Sequence, residues 1–271
     1  MIMNTLAIRD WARTGFHNMA ADSSAMELVR TGAAEAVFRT FTWEPHCLSL
    51  GRFQDPGREA DLNRLRQDGY HMVKRPTGGR AVWHGDELTY SLVIGEDHPM
   101  VSGGTSESLR KVAGMLLEAL RASGVPAELN RTERELTRRG RRHNPCFTSH
   151  GRWEIVTPDG RKMVGSAQAR RGGVFLEHGS ILFTNQQHMA AEYLPVEEEE
   201  RERMRTLMNG AAGTVREYGA DLSREALAEA LHRSFASSLE AVPVVFSSDD
   251  LPGLTEGVME RRRYFESSQK T

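Results

Sequence analysis

The clearest periodic signal lies between Ser106 and Ser123. Leu109, Val112, Leu116 and Leu120 recur at helical spacing on one face, and Gly124 supplies the stop. A second helix is expected from Asn18 to Arg30, with Met19, Met26 and Leu28 among its apolar positions, and a short one from Glu59 to Gln67, closed by Gly69. Other stretches read as strands. Val37 to Trp43 is β-rich, and Cys47 to Leu50, just before Gly51, reads as its hairpin partner. Met72 to Arg75, Ala81 to Trp83 and Leu88 to Ile94 follow as strands. Trp153 to Thr157 returns over the turn Pro158-Asp159-Gly160 toward Ala167 as a hairpin, and Val174 to Phe183 holds one more strand. After Pro195 the pattern becomes helical. Val196 to Met208 is a charged helix, Ser223 caps another with Leu222 and Leu227 at staple spacing, and Thr255 to Phe265 is a third. Strands in the middle and helices at the end predict an α+β fold, a mixed and mainly antiparallel sheet flanked by helices. The expected division is a main domain over 1–195 and a helical extension over 196–271, packed on the same domain.

Composition narrows the class of protein. The 271 residues suffice for one large domain, and a net charge of −2 gives no global reason to expect nucleic acid. Six arginines between 131 and 142 make a local basic run. It reads either as a solvated loop or as a docking site for an acidic macromolecule. It carries no interleaved aromatic residues for base stacking. Two cysteines exclude a disulfide framework and favour a reducing compartment. The N-terminal stretch has no long apolar core after a basic start, and no run approaches eighteen apolar residues, so the expectation is a soluble, cytoplasmic protein with no membrane partner.

Few residues are candidates for chemistry. Cys146 follows Arg138, Arg139, Arg141, Arg142 and His143 and precedes His150. A free cysteine is often just a small hydrophobe, but nearby positive charge favours the thiolate, which is the nucleophile. Cys47, inside an apolar strand, fits the inert reading. Lys162, in GRKMVGSAQ, is either a solvated strand residue or a rigidly held ammonium beside a developing negative charge. His84 and His178 are structural or functional on equal footing. Gly78 and Gly79 can bring backbone close to a ligand, yet the loop matches neither a Walker motif nor a dinucleotide fingerprint. No cluster has metal-ligand spacing, so neither a metal nor a cofactor is expected.

Three segments taken together are more specific: RPTGGRAVWHGDELTYS (75–91), CFTSHGRWEIVTPDGRKMVGSAQ (146–168) and LEHGSILF (176–183). The set resembles the biotin/lipoate protein ligase and transferase superfamily, and within it the cysteine-dependent octanoyltransferases of lipoyl cofactor assembly. The family's Ser, Tyr and Gln are replaced here by Gly151, Trp153 and Glu177. The resemblance implies a ligase-like catalytic domain and an acyltransferase activity. Octanoyl-acyl carrier protein would be the donor. A lipoyl-accepting protein, such as glycine cleavage H protein or an E2 lipoyl domain, would be the acceptor.

The resemblance makes Cys146 and Lys162 catalytic. It assigns acyl binding to Arg75, Thr77, Gly78, Gly79, Arg80, Ala81, Val82, His84, Gly165, Ser166, Ala167, His178 and Gly179. An octanoyl tail sheathed by such a wall gains ~0.8 kcal/mol per buried CH₂. The alternatives are an ATP-dependent lipoate or octanoate ligase, a lipoyl amidotransferase, and a non-catalytic carrier-binding protein.

Overall fold

A computed structural model describes residues 4–131, 151–219 and 221–268. In chain order the elements are β1 (Asn4–Arg9), α1 (Gly15–Arg30), β2 (Ala34–Phe41), β3 (Cys47–Leu50), α2 (Pro56–Glu59), α3 (Leu62–Gln67), β4 (His71–Lys74), β5 (Val82–His84), β6 (Glu87–Gly95) and α4 (Thr105–Ala122). There follow β7 (Glu128–Leu129), β8 (Ile155–Val156), β9 (Val164–Arg171), β10 (Val174–Leu182), α5 (Met189–Glu192), α6 (Glu198–Ala211), α7 (Arg224–Ser238), β11 (Val244–Phe246) and α8 (Leu254–Ser267).

The main sheet runs β11-β1-β2-β6-β10-β9. β11, β1 and β2 are mutually parallel, and the other neighbours are antiparallel. Parallel neighbours need a crossover, and α1 supplies the one between β1 and β2. The Thr14 side chain caps α1 by accepting from the His17 amide. One face of the sheet is apolar. Phe38, Leu88, Tyr90, Leu92, Phe175 and Ile181 meet Val112, Leu116 and Leu120 of α4 and Leu227, Leu231 and Phe235 of α7. The periodicity of α4 thus buries the stripe it marks, and each such side chain contributes about 1.5–3 kcal/mol. Ser223 caps α7, accepting from the Ala226 amide at 3.1 Å. The opposite face is covered by α1 and adjoins a small sheet, β4-β3-β5.

The structure corrects several boundaries. Cys47–Leu50 does not pair with β2, whose two edges are filled by β1 and β6; it pairs with β4 and β5 instead. The expected helix 59–67 is two short helices. Ala60 is extended, and Asp55 and Asp61 each cap their own segment. The hairpin after Trp153 is a tight turn bridged between Val156 and Lys162, whereas β9 forms its long pairing with β10. The strands β1 and β11 were not expected. β11 comes from the C-terminal region yet lies in the main sheet, and α8 packs on α1.

Candidate active site

Strand alternation sends Arg39 of β2, Thr89 and Ser91 of β6 and His178 and Ser180 of β10 to the α1 side of the sheet. All five are buried. Thr89, His178 and Ser180 border a narrow cleft of about 30 Å³. Its walls are Met19, Trp43, Arg75, Val82 and His84 on one side and Gly165 to Ala167, His178 and Gly179 on the other.

Two histidines face the cleft, each locked between a carboxylate and a hydroxyl. His178 Nδ1 donates to Asp22 Oδ2 at 2.9 Å, which leaves Nε2 to accept from the Thr77 hydroxyl at 2.7 Å. Burial lowers the His178 pKa against the opposing pull of Asp22, so the ring is neutral near pH 7. Burial alone would raise the Asp22 pKa, but Arg39 at 3.1 Å and the His178 hydrogen bond hold it lowered. The second chain is Glu87, His84 and Ser49. His84 Nδ1 donates to Glu87 Oε1 at 2.7 Å, and Nε2 meets Ser49 Oγ at 2.6 Å. Arg75 Nη1 donates to the same Ser49 oxygen at 2.6 Å. Glu87 Oε1 also accepts from Thr89 and Ser180. Trp43 donates to Thr89 at 2.7 Å and stacks on the His84 ring at 3.9 Å. Charge-assisted bonds of this kind fix side chains firmly.

The glycine loop is held by the same machinery. Arg75 Nη2 donates to the carbonyls of Gly78 and Arg80, at 3.2 and 2.8 Å. Gly79 has φ +94°, open to glycine at little cost. A Cβ on Gly179 would collide with the Gly165 carbonyl and with Tyr90, so β9 and β10 approach as closely as they do only with glycine there.

The residues expected from the sequence fall into three groups. Arg75, Val82, His84, Gly165, Ser166, Ala167, His178 and Gly179 line the cleft, and Thr77 is bonded to His178. Gly78, Gly79 and Arg80 form the loop strapped by Arg75, while Ala81 is buried in an apolar cluster with Trp83. Lys162 lies off the cleft lining, three residues before Gly165. It is buried rather than solvated, and its Nζ donates to Glu154 Oε1 at 2.7 Å. Cys146, His143, His150 and Arg138 to Arg142 lie outside the described residues. Cys47 is fully buried, and burial pushes its thiol pKa up, which makes it inert. Among the described residues no group of His, Cys, Asp or Glu is placed to hold a metal, and no helix is long and apolar enough to cross a membrane.

Sequence reasoning missed Asp22, Arg39, Ser49, Trp43 and Glu87. One signal was available. Asn18 and Asp22 stand one turn apart on a helix, and Arg39 interrupts an apolar strand; Arg39 donates to Asn18 O at 2.9 Å and to Asp22 on that face, and also pairs with Asp10 at 3.3 Å.

This fold has known counterparts. Residues 14–236 match the lipoyl protein ligase A/B catalytic domain, and the chain belongs to that family. An octanoyltransferase LipM from Kyrpidia tusciae is 38% identical over 228 residues, covering 83% of each chain. An octanoyltransferase LipM from Moorella thermoacetica is 36% identical over 246 residues, 89% of this chain and 86% of that one. A solved structure of a bi-partite lipoate protein ligase and its E2 lipoyl domain from Thermoplasma acidophilum superposes with TM-score 0.74 at 20% identity, covering 98% of this chain and 93% of the other, which establishes the fold.

Proposed function

We propose that this chain is an octanoyltransferase of lipoyl cofactor synthesis. It takes the octanoyl group from octanoyl-acyl carrier protein and delivers it to a lysine of a lipoyl-accepting protein, such as glycine cleavage H protein or an E2 lipoyl domain. The observation that carries this reading is the match to octanoyltransferases at 38% identity across 83% of the chain.

In the proposed reaction the Cys146 thiolate attacks the thioester carbonyl. A new carbon–sulfur bond forms, the bond to the carrier's thiol breaks, and that thiol leaves with a proton. The acceptor's lysine amine then attacks octanoyl-Cys146, giving the amide and returning the thiol. Splitting one transfer into two steps lowers each barrier. Lys162 handles the proton in both steps, and the nearby Glu154 carboxylate holds its ammonium in place. Backbone amides near Gly79 or around Gly165 to Ala167 would hold the developing oxyanion, a kind of contact worth ~3 kcal/mol. The acyl tail enters between Val82, Met19 and Trp43. The cleft is narrow, so admission of an eight-carbon chain moves the apolar side chains and leaves the histidine chains in place.

Intact-mass measurement tests the scheme. Wild type incubated with octanoyl-acyl carrier protein gains one octanoyl group, and Cys146→Ala gains none. Transfer at the normal rate by Cys146→Ala would remove the thioester. Lys162→Ala should slow transfer about a hundredfold or more with the fold intact, and unchanged turnover would remove Lys162.

A further inference from the structure

One apolar side chain contradicts its surroundings. Phe53 is 88% exposed, the most exposed aromatic residue among those described. It does not stand on a loose loop. The Arg52 amide donates to the Thr77 carbonyl at 2.9 Å, and the Gln54 side chain accepts from the Gly51 amide at 2.9 Å. A Cβ on Gly51 would collide with the Gly79 carbonyl, so this loop is seated directly on the glycine loop. Gly79 in turn faces Ala167 at the cleft wall. The backbone beneath Phe53 is therefore held against the glycine loop, which itself meets the cleft wall at Ala167.

Charge surrounds it unevenly. The Arg52 guanidinium lies 5.5 Å from the Phe53 ring centroid, and Arg52 is exposed. A few residues on, Asp55 is already engaged by Arg58 at 3.6 Å. An exposed aromatic residue with an arginine beside it is the composition of an interface anchor.

The occupant follows from reach. The acceptor's reacting group is a lysine amine, so the body of that protein must come within one side chain of the cleft mouth. A donor whose thioester sits on a long prosthetic arm needs no such approach. We propose that Phe53, with Arg52 beside it, docks the acyl-accepting protein by inserting into an apolar spot rimmed by carboxylates. This rests on the transfer reading above.

Two acceptors separate docking from chemistry, with octanoyl-acyl carrier protein as donor throughout. Apo glycine cleavage H protein must dock; hydroxylamine, which captures the octanoyl group as a hydroxamate, need not. Phe53→Ser should raise the KM for H protein about tenfold or more, leave kcat nearly unchanged, and leave hydroxamate formation as in wild type. Arg52→Glu should raise the same KM and flatten its salt dependence. An equal loss with both acceptors, or no change with H protein, overturns the docking assignment. Wild type that octanoylates neither acceptor overturns the transfer reading instead.

Discussion

The two faces of β6 from Glu87 to Leu92 are equally dry and chemically opposite. Along β6, Leu88, Tyr90 and Leu92 point into the α4 and α7 core, while Glu87, Thr89 and Ser91 point toward α1 and the cleft. All six residues are buried. The first face is held by packing, which tolerates substitution in proportion to volume lost. The second is held by hydrogen bonds, whose loss strands a charge or polar atom out of water. The comparison teaches that burial alone does not mark a core. On the cleft side the polar residues are buried because they fix the cleft's shape.

Substitutions can break this contrast. The largest effect is expected from Asp22→Ala, which leaves Arg39 and His178 short of their shared partner. Chemical denaturation should show a loss of about 3–5 kcal/mol. Replacing Asp22 and Arg39 together by apolar residues should recover only part of it, because Asp10 then loses Arg39 and His178 still lacks its acceptor, and transfer stays low. Next comes the apolar face. Leu88→Ala should cost about 2–4 kcal/mol, yet the folded fraction should retain its specific activity. If both variants lost stability and activity in the same ratio, the two faces would not be functionally distinct. Smaller in stability, at about 1 kcal/mol, is Thr77→Val, which removes the hydroxyl bonded to His178. Its signature would be a transfer defect well beyond its change in melting temperature.

One further effect carries a sign. Glu177 lies buried beneath the cleft strands, and Tyr90 Oη donates to its Oε1 at 2.9 Å. Burial raises its pKa from 4.5 to about 8 against the pull of that bond. The folded state thus holds a proton that the unfolded chain releases. Its contribution is fully present below about pH 4.5 and is lost as pH rises to 8. Glu177→Gln should match wild type in acid and exceed it in thermal midpoint near pH 8 and above. His178 works in the opposite sense. Its lowered pKa means that the unfolded state binds the extra proton, so its contribution is lost as pH falls below 6.5. Parallel pH–stability curves for wild type and Glu177→Gln would sink the assignment.

Much of this molecule was legible in the sequence. The α4 stripe, the α7 cap and the β10 strand follow from spacing and capping chemistry that act locally. The motif 75–91 named the glycine loop and His84. What escaped depends on partners far apart in the chain. Asp22 acquires meaning only when β10 places His178 beside it, 156 residues later. Ser49 reads as an ordinary strand residue until β5 sets His84 opposite Cys47 and brings the imidazole to its hydroxyl. β11 was invisible for a different reason. Three residues, two of them valines with exposed side chains, give too short a run for alternation to show.

That short strand has a bearing on synthesis. β1 is synthesised long before its neighbour, and one of its flanks stays open until Val244 to Phe246 arrive and lie alongside it. α8, which braces the helix carrying Asp22, emerges later still. A growing chain therefore carries an uncapped ribbon and an unbraced helix until those segments follow. A lesion that stopped synthesis before Val244 would release a product whose cleft framework had never been braced.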